Sequence, residues 1–576
     1  MNTTQLKRFA QEARRKLLEQ VAAKLKFVKN NDTSELRGKT HTLNKLKSEI
    51  NKHGEEAVID KVAYTWFNRL VALRYMDANG YQPIGMSVVS PATKEQVSPE
   101  ILSEAHRGNI SSELIVDRAE VMNILNGSQP SNNPDNEVYR KLLVSACNHL
   151  SNLFPFLFER IDDYTELLLP DDLTSPFSIV KDVYNGMSDE DCKEVEIIGW
   201  LYQFYISEWN EELIQSKKAY KKNEIAPASQ LFTPKWIVQY MVDNTLGQLW
   251  SEIDPKTKVL EDLEFYIKPA YKDQLPEREK VSIEEIKFFD PCAGSGHILS
   301  YAFDVFYRIY EEQGYNVSEI PGLIITNNLF GAEIDERAAQ LASFVLLMKG
   351  REKYRRFFNQ IAKNNIQPNI VAFQNFEEDE KFNNASVLGS LIKIESSEIN
   401  TGKIDEGSLF AEKQKALKDQ YQLLGERYDI VVTNPPYINS SRMEESMKEY
   451  VNKNYPDTKS DLFATFILRC LELCKPDGLT GYMTPFVWMF ISSYEKVRKG
   501  IINNHFINNL IQLEYSGFDG ATVPICTFTL RNAPIKNAKG SYIRLSDFRG
   551  SAIQASKTLE AINNPDCGWF YTANQK

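Results

Sequence analysis

Asparagine, two prolines and a tyrosine stand together at Asn434, Pro435, Pro436 and Tyr437, directly after the apolar run Ile430-Val431-Val432. Of all the residues in the chain, these have the types and spacing best suited to chemistry. The run reads as a buried parallel strand, and the prolines remove backbone donors and hold the chain open where it ends. In open α/β sheets ligands bind at strand ends. The chemistry that fits is methylation of an exocyclic amine, a poor nucleophile because its lone pair is delocalised into the ring. The Asn434 side-chain oxygen and the Pro435 carbonyl could take its two N–H groups and free that lone pair. Tyr437 offers a flat face for a base drawn out of its stack. A proline-rich turn after a strand would give the same four residues without any chemistry.

Two further stretches belong with this one. Phe288-Phe289-Asp290-Pro291-Cys292-Ala293-Gly294-Ser295-Gly296 reads as a short strand and a glycine turn, followed by a helical pattern through Leu299, Ala302, Phe303 and Phe306. Glycines let a backbone approach a ligand closely, and a helix start favours a carboxylate. The spacing is not that of a dinucleotide fingerprint, and no phosphate loop of the G-x-x-x-x-G-K-[ST] type occurs. Leu329 to Asp335 reads as a second strand ending in acid, and Glu333 there suits the two hydroxyls of a ribose.

On these motifs the chain resembles the Rossmann-fold, S-adenosylmethionine-dependent, amino-group DNA methyltransferases of the adenine type. The resemblance implies that Asn434, Pro435, Pro436 and Tyr437 are catalytic. It further implies that Phe232 and Thr233, in Gln230-Leu231-Phe232-Thr233-Pro234, lie against the methionine part of S-adenosylmethionine, with Asp290, Pro291, Gly294, Gly296 and Glu333 also holding the cofactor. Ser460-Asp461-Leu462-Phe463 is similar to the motif on the next helix, which makes Asp461 a substrate-side residue beside Tyr437. Gly517-Phe518 is similar to the strand pair that sets a second aromatic, Phe518, against the target base. Two departures stand out. Cys292 and Ala293 are in swapped order. The third motif, Ile370 to Phe376, has amides where the family offers an aspartate, so Asn375, beside Phe376, would accept from the cofactor adenine without charge assistance.

The resemblance extends over nearly the whole chain. A helical preface includes an N-terminal helix from Asn2 and an amphipathic pattern over 60–76. With it, the chain is similar to the large adenine methyltransferases related to type IIG restriction enzymes, and among them to those of BREX phage-defence systems. That implies marking of host DNA, double-stranded DNA with a flipped adenine as partner, and further phage-defence proteins as companions. No nuclease constellation of the P-D…E-x-K kind precedes the methyltransferase motifs. The motif order places target recognition C-terminal to catalysis. Few residues follow the strand near Leu530, so the expectation is a chain lacking most of its target-recognition domain. A modification subunit of a type I restriction system is the nearest alternative. Protein-glutamine and RNA methyltransferases share the Asn-Pro-Pro-Tyr chemistry but lack such a preface. A DNA- or partner-binding defence scaffold with little or no methyl transfer is the alternative outside the enzymes.

Composition sets the remaining bounds. A length of 576 residues suits two to four domains. No apolar run is long enough to span a bilayer and no signal-peptide core is present, so a cytoplasmic place is expected. Seven cysteines without C-x-x-C pairs and six scattered histidines argue against a disulfide framework or a metal site. A net charge of −11 is awkward for a protein that would neutralise phosphates. Basic stretches are local, at 24–29, 37–52, 217–222 and 351–356, and each would ordinarily be a solvated face. The expected architecture is α/β: a Rossmann-like S-adenosylmethionine-dependent methyltransferase domain over 226–545, preceded by an α-helical domain over 1–225. A surface insertion is expected at 377–420, and the start of a linker or truncated recognition region at 546–576.

Overall fold

The computed structural model describes residues 3–158, 164–231, 233–271, 278–399, 411–517 and 523–575. The chain forms two compact units, 1–208 with 358–365, and 209–357 with 366–576. The division thus falls at 208 rather than at the expected 225.

The first unit is helical, and its axis is the helix Glu55–Ala78. The sequence pattern predicts an amphipathic helix, with Arg69 and Arg74 five residues apart along it. Instead every residue from Val62 to Met76 except Thr65 is buried, and the two arginines are 1% and 2% exposed. Their guanidinium groups serve loops inside the unit. Arg69 Nε donates to the Leu157 carbonyl at 3.2 Å, and Arg74 Nε and Nη2 donate to the Met187 carbonyl at 3.1 and 2.9 Å. A helix buried on all sides needs neighbours all round. The helix Thr3–Asn30 is one, burying Leu6, Ala10, Ala13, Leu17 and Val21 at three- and four-residue steps.

The second unit is built on one sheet of nine strands among the described residues: β1 Phe288–Asp290, β2 Leu329–Glu333, β3 Asn369–Ala372, β4 Tyr428–Thr433, β5 Cys474–Pro485, β6 Phe506–Gln512, β7 Ile525–Arg531, β8 Lys539–Arg544 and β9 Phe570–Asn574. Their order is β3-β2-β1-β4-β5-β7-β6-β8-β9. The strands β1 to β5 pair in parallel, β7 runs antiparallel between β5 and β6, and β8 pairs in parallel with β6. This is the Rossmann-like α/β class expected from the sequence. The central strands are apolar because both faces are covered. On one face Phe289, Tyr428, Val431, Tyr482 and Phe528 join a core that includes the helix Leu462–Leu473. On the other, a side chain at Gly481 would meet Thr245 at 3.3 Å, so glycine lets the turn Asp243–Gly247 press onto β5.

Two expected surface or terminal segments fold otherwise. In the segment 377–420, Phe382, Ala385, Val387, Leu388, Leu391 and Ile392 are buried in the core of the sheet domain, so its described part is no mere surface insertion. Polar composition hid these apolar residues. The region 546–576 is folded onto the sheet as the helix Ser551–Asn563 and β9, which pairs antiparallel with β8. Gln575 Nε2 donates to the carbonyls of Ile501, Ile502 and His505 at 3.3, 3.2 and 2.7 Å, closing the C-terminal end of the helix Glu495–Asn504.

At the C-terminal end of β7, Arg531 and Glu252 are 1% and 6% exposed at their side chains and form an ion pair. Arg531 also reaches Asp477 at 2.7 Å, and Arg278 joins Glu252 at 2.6 Å. Removing one member of a buried pair strands the other's charge. Glu252→Ala is therefore expected to destabilise the protein by about 3–5 kcal/mol in urea unfolding; a loss below 1 kcal/mol, the range of exposed pairs, would show that water screens this cluster.

Candidate active site

The strands β1 and β4 lie side by side, with Phe289 opposite Val431, and the order of the sheet reverses between them. Their C-terminal ends therefore open into one crevice, where the ligands of such sheets bind. The turn after β1 holds Gly294 at φ +53° and Gly296 at φ +83°. A Cβ on Gly296 would stand 3.0 Å from Ala342, so the turn lies directly against the helix Glu336–Lys353. A Cβ on Gly294 would meet nothing closer than Gln230 Oε1 at 3.8 Å. The glycine turn thus keeps open space in front of it, beside the Gln230 segment.

Three carboxyl groups surround this end of the sheet. Glu333 Oε2 accepts from the Gly294 N–H at 2.8 Å, and Oε1 accepts from the N–H groups of Ile334 and Asp335 at 2.9 and 3.0 Å. Burial outweighs these bonds and raises its pKa to about 7. A carboxylate offers about four acceptor positions, and backbone donors occupy three of them. Asp290 is 1% exposed and caps Cys292 N–H at 3.0 Å; burial raises it too, to about 7. Asp461 caps the helix Leu462–Leu473 through Phe463 N–H and faces the backbone of Ile438, which ties the exit of the Asn-Pro-Pro-Tyr loop to that helix. Burial raises Asp461 to about 7 as well. His297, which opens the helix His297–Glu312, is pushed down to about 3 by burial and stays neutral.

Asn434 joins the two halves of the crevice. Its Nδ2 donates to the Leu231 carbonyl at 3.0 Å and to Thr233 Oγ1 at 3.1 Å. Those partners fix the amide's orientation, so Oδ1 is the acceptor end. The Tyr437 hydroxyl lies 2.8 Å from that oxygen and 3.1 Å from the Met483 carbonyl. Tyr437 packs edge-on to Phe463, with ring centres 6.4 Å apart. The tyrosine therefore covers the acceptor that an incoming amine would use, rather than presenting an open stacking face.

Other residues singled out by sequence are placed less directly. Asn375 Oδ1 accepts from Ser386 N–H at 2.9 Å, so one of its acceptor positions is taken. Phe376 is 4% exposed within the core. Pro291 is buried and its carbonyl accepts from Ser390 Oγ at 2.7 Å. Pro435 is buried and Pro436 half-buried in the loop. Phe232 and Phe518 lie outside the described residues.

Sequence reasoning missed Gln420. It is fully buried, its Oε1 accepts from Gln374 N–H at 2.7 Å, and its Nε2 donates to the Gln374 carbonyl at 3.3 Å. The side-chain amide thus imitates a neighbouring strand and holds the loop that carries Asn375. Nothing in its polar sequence surroundings marks it.

Residues 327–518 match the family described as Eco57I restriction-modification methylase. The chain is 34% identical over 574 residues to the adenine-specific methyltransferase BrxX of Escherichia coli O9:H4 (strain HS), covering 87% of this chain and 46% of that protein. It is 32% identical over 577 residues to the adenine-specific methyltransferase PglX of Lacticaseibacillus casei (strain Zhang), covering 90% and 47%. Identity to the type II restriction enzyme and methyltransferase RM.Eco57I of Escherichia coli is 22% over 446 residues, covering 73% and 39%. The chain spans about half the length of the curated relatives it matches.

The raised pKa of Glu333 has a consequence for ligand binding. An ionised carboxylate accepts a hydroxyl hydrogen bond about twice as strongly as a neutral acceptor, and Glu333 ionises as pH rises through about 7. Affinity for a ribose-bearing ligand is therefore expected to rise from about pH 6 to about pH 8 and then level. Calorimetric titration with methylthioadenosine, which lacks the titrating amino-acid end, checks this. An affinity that is flat or falls over that range would remove Glu333 from ribose binding.

Proposed function

We propose that this homologue of the adenine-specific methyltransferases BrxX and PglX transfers a methyl group from S-adenosylmethionine to the exocyclic nitrogen of an adenine flipped out of duplex DNA. The observation that carries the reading is the Asn434 amide, whose nitrogen is bonded to Leu231 and Thr233 while its oxygen, among the described residues, accepts only from the displaceable Tyr437 hydroxyl. When bound, S-adenosylmethionine supplies an electrophilic methyl group. The residues present fit it: the open glycine turn at Gly294, the anchored Glu333 carboxylate and the buried Thr233 share one crevice.

The chain's own residues do the rest. The adenine amine displaces the Tyr437 hydroxyl from Asn434 Oδ1 and donates one N–H there, and the Pro435 carbonyl takes the second. With both hydrogens held, the nitrogen becomes pyramidal, and its lone pair leaves the ring's π system and becomes nucleophilic. That lone pair would take the methyl supplied by bound S-adenosylmethionine, and one amine proton would pass to solvent. Flipping costs a few kcal/mol, and stacking on an aromatic face at about 1–3 kcal/mol offsets much of it. Tyr437, once its hydroxyl is released, and Phe518 are the aromatics assigned to that face.

The setting that the homology supports is marking of host DNA in phage defence of the BREX type, in the cytoplasm and beside other defence proteins. Among the described residues no helix is long and apolar enough to cross a membrane.

Asn434→Ala tests the reading. Methyl transfer to DNA is expected to fall by about 10²–10³-fold or more, as when a single polar group that stabilises a transition state is lost. S-adenosylmethionine binding should weaken only a few-fold, through the lost bonds to Leu231 and Thr233. Transfer at the parent rate would remove Asn434 from the chemistry. A collapse of cofactor binding would make it a cofactor-site residue instead.

A further inference from the structure

The basic run Lys217-Lys218-Ala219-Tyr220-Lys221-Lys222 has no role in the site described above, yet it is attached to the loop that leaves that site. Arg442, five residues beyond Tyr437, makes the connection. Its Nη2 donates to the Leu213 carbonyl at 2.6 Å, its Nη1 to the Ile214 carbonyl at 3.3 Å, and its Nε to the Lys218 carbonyl at 3.3 Å. Its own carbonyl accepts from the Tyr220 N–H at 2.9 Å, and its guanidinium lies 4.2 Å from the centre of the Tyr220 ring. Tyr220 is 6% exposed. One arginine therefore satisfies carbonyls in the last turn of the helix Glu196–Ser216, where a cation is favoured, and pins the lysine loop that follows.

The other end of the connection is equally fixed. Arg442 N–H donates to the Asn439 carbonyl at 2.9 Å, Ser440 N–H donates to the Ser460 carbonyl at 2.9 Å, and Asn439 bridges to Asp461. Asp461 in turn holds the exit of the Asn-Pro-Pro-Tyr loop. The lysine loop and the loop that receives the base are thus joined through short hydrogen bonds, with no free linker between them.

Lys217, Lys218, Lys221 and Lys222 are all exposed, and Lys217 adopts φ +53° where the chain leaves the helix. Lys221 has a weak surface partner in Glu224 at 3.7 Å, and Lys222 donates to Asn384 Oδ1 at 3.0 Å. Neither contact would compete strongly with a phosphate. In a chain of net charge −11 any affinity for a polyanion must come from such local clusters.

We propose that the loop 217–222, positioned by Arg442, contacts the backbone phosphates of the DNA strand whose adenine enters the site. The proposal rests on the methyltransferase reading above. A flipped nucleotide draws its own backbone toward the pocket, and lysines placed at the pocket's edge hold that backbone without reading sequence.

The test measures binding of the whole chain to a mixed-sequence DNA duplex by fluorescence anisotropy over a series of salt concentrations. One variant changes Lys217, Lys218, Lys221 and Lys222 to Gln. A control changes Lys61, Lys94, Lys193 and Lys363 to Gln, removing the same charge from exposed positions of the first unit that lie outside the basic stretches. The loop variant is expected to lose about tenfold or more in affinity, with a salt slope shallower by about two to four, since each phosphate contact contributes about 0.9. The control should keep the parent slope, and both should bind S-adenosylmethionine as the parent does. Arg442→Ala, which keeps every lysine, should also lose DNA affinity because the loop is released. A loop variant with the parent's affinity and slope, a control that falls equally, or a parent that does not bind duplex would each overturn the proposal. Failure of the methyltransferase reading shows separately, as a parent that binds duplex but places no methyl on it.

Discussion

The parallel pairing of β1 with β4 is the constraint on which the site depends. Neighbouring strands from distant parts of the chain, Phe288–Asp290 and Tyr428–Thr433, end at the same edge of the sheet. One runs into the glycine turn and the other into Asn434. Because the sheet order reverses here, the two loops diverge and leave a crevice between them. Leu231 and Thr233 come from another part of the chain, and the Asn434 amide holds both. On the proposed reading, this one side chain would couple the place of the methyl donor to the place of the acceptor. Its orientation is set by the donors it gives, so the oxygen is turned toward the Tyr437 hydroxyl.

Charge in the crevice follows from burial. Asp290, Glu333 and Asp461 are all held near pH 7 because the folded chain takes their carboxyl groups out of water faster than backbone N–H groups compensate. Once ionised, these groups make a field that favours a cationic ligand such as a sulfonium over its neutral thioether product. On the proposed reading, the buried carboxyl groups and the exposed lysines at 217–222 have opposite tasks, which would reconcile an overall charge of −11 with a polyanionic partner.

Much of this was legible in the sequence where chemistry restricts residue choice. Asn434-Pro-Pro-Tyr437, the Gly294-Ser-Gly296 turn and the acid closing β2 stand where their types and spacing indicate. The rest was hidden for physical reasons. The pattern over 60–76 reads as amphipathic, but burial on all sides turns Arg69 and Arg74 toward loop carbonyls. Gln420 lies in a polar stretch that reads as surface, yet it clamps Gln374 from the interior. The covering of Asn434 by the Tyr437 hydroxyl is a matter of side-chain packing against Phe463 and Met483, which no local pattern encodes. The tail 546–576 read as a linker because the pairing partner of β9 is a neighbouring strand rather than a nearby motif.

The most direct test is to incubate the chain with methyl-labelled S-adenosylmethionine and duplex DNA, digest the DNA to nucleosides, and find the label. The proposed function expects it in N6-methyladenosine of the deoxy series. Label in cytosine, label in a protein substrate instead of DNA, or cofactor bound with no methyl transferred to duplex would contradict the account.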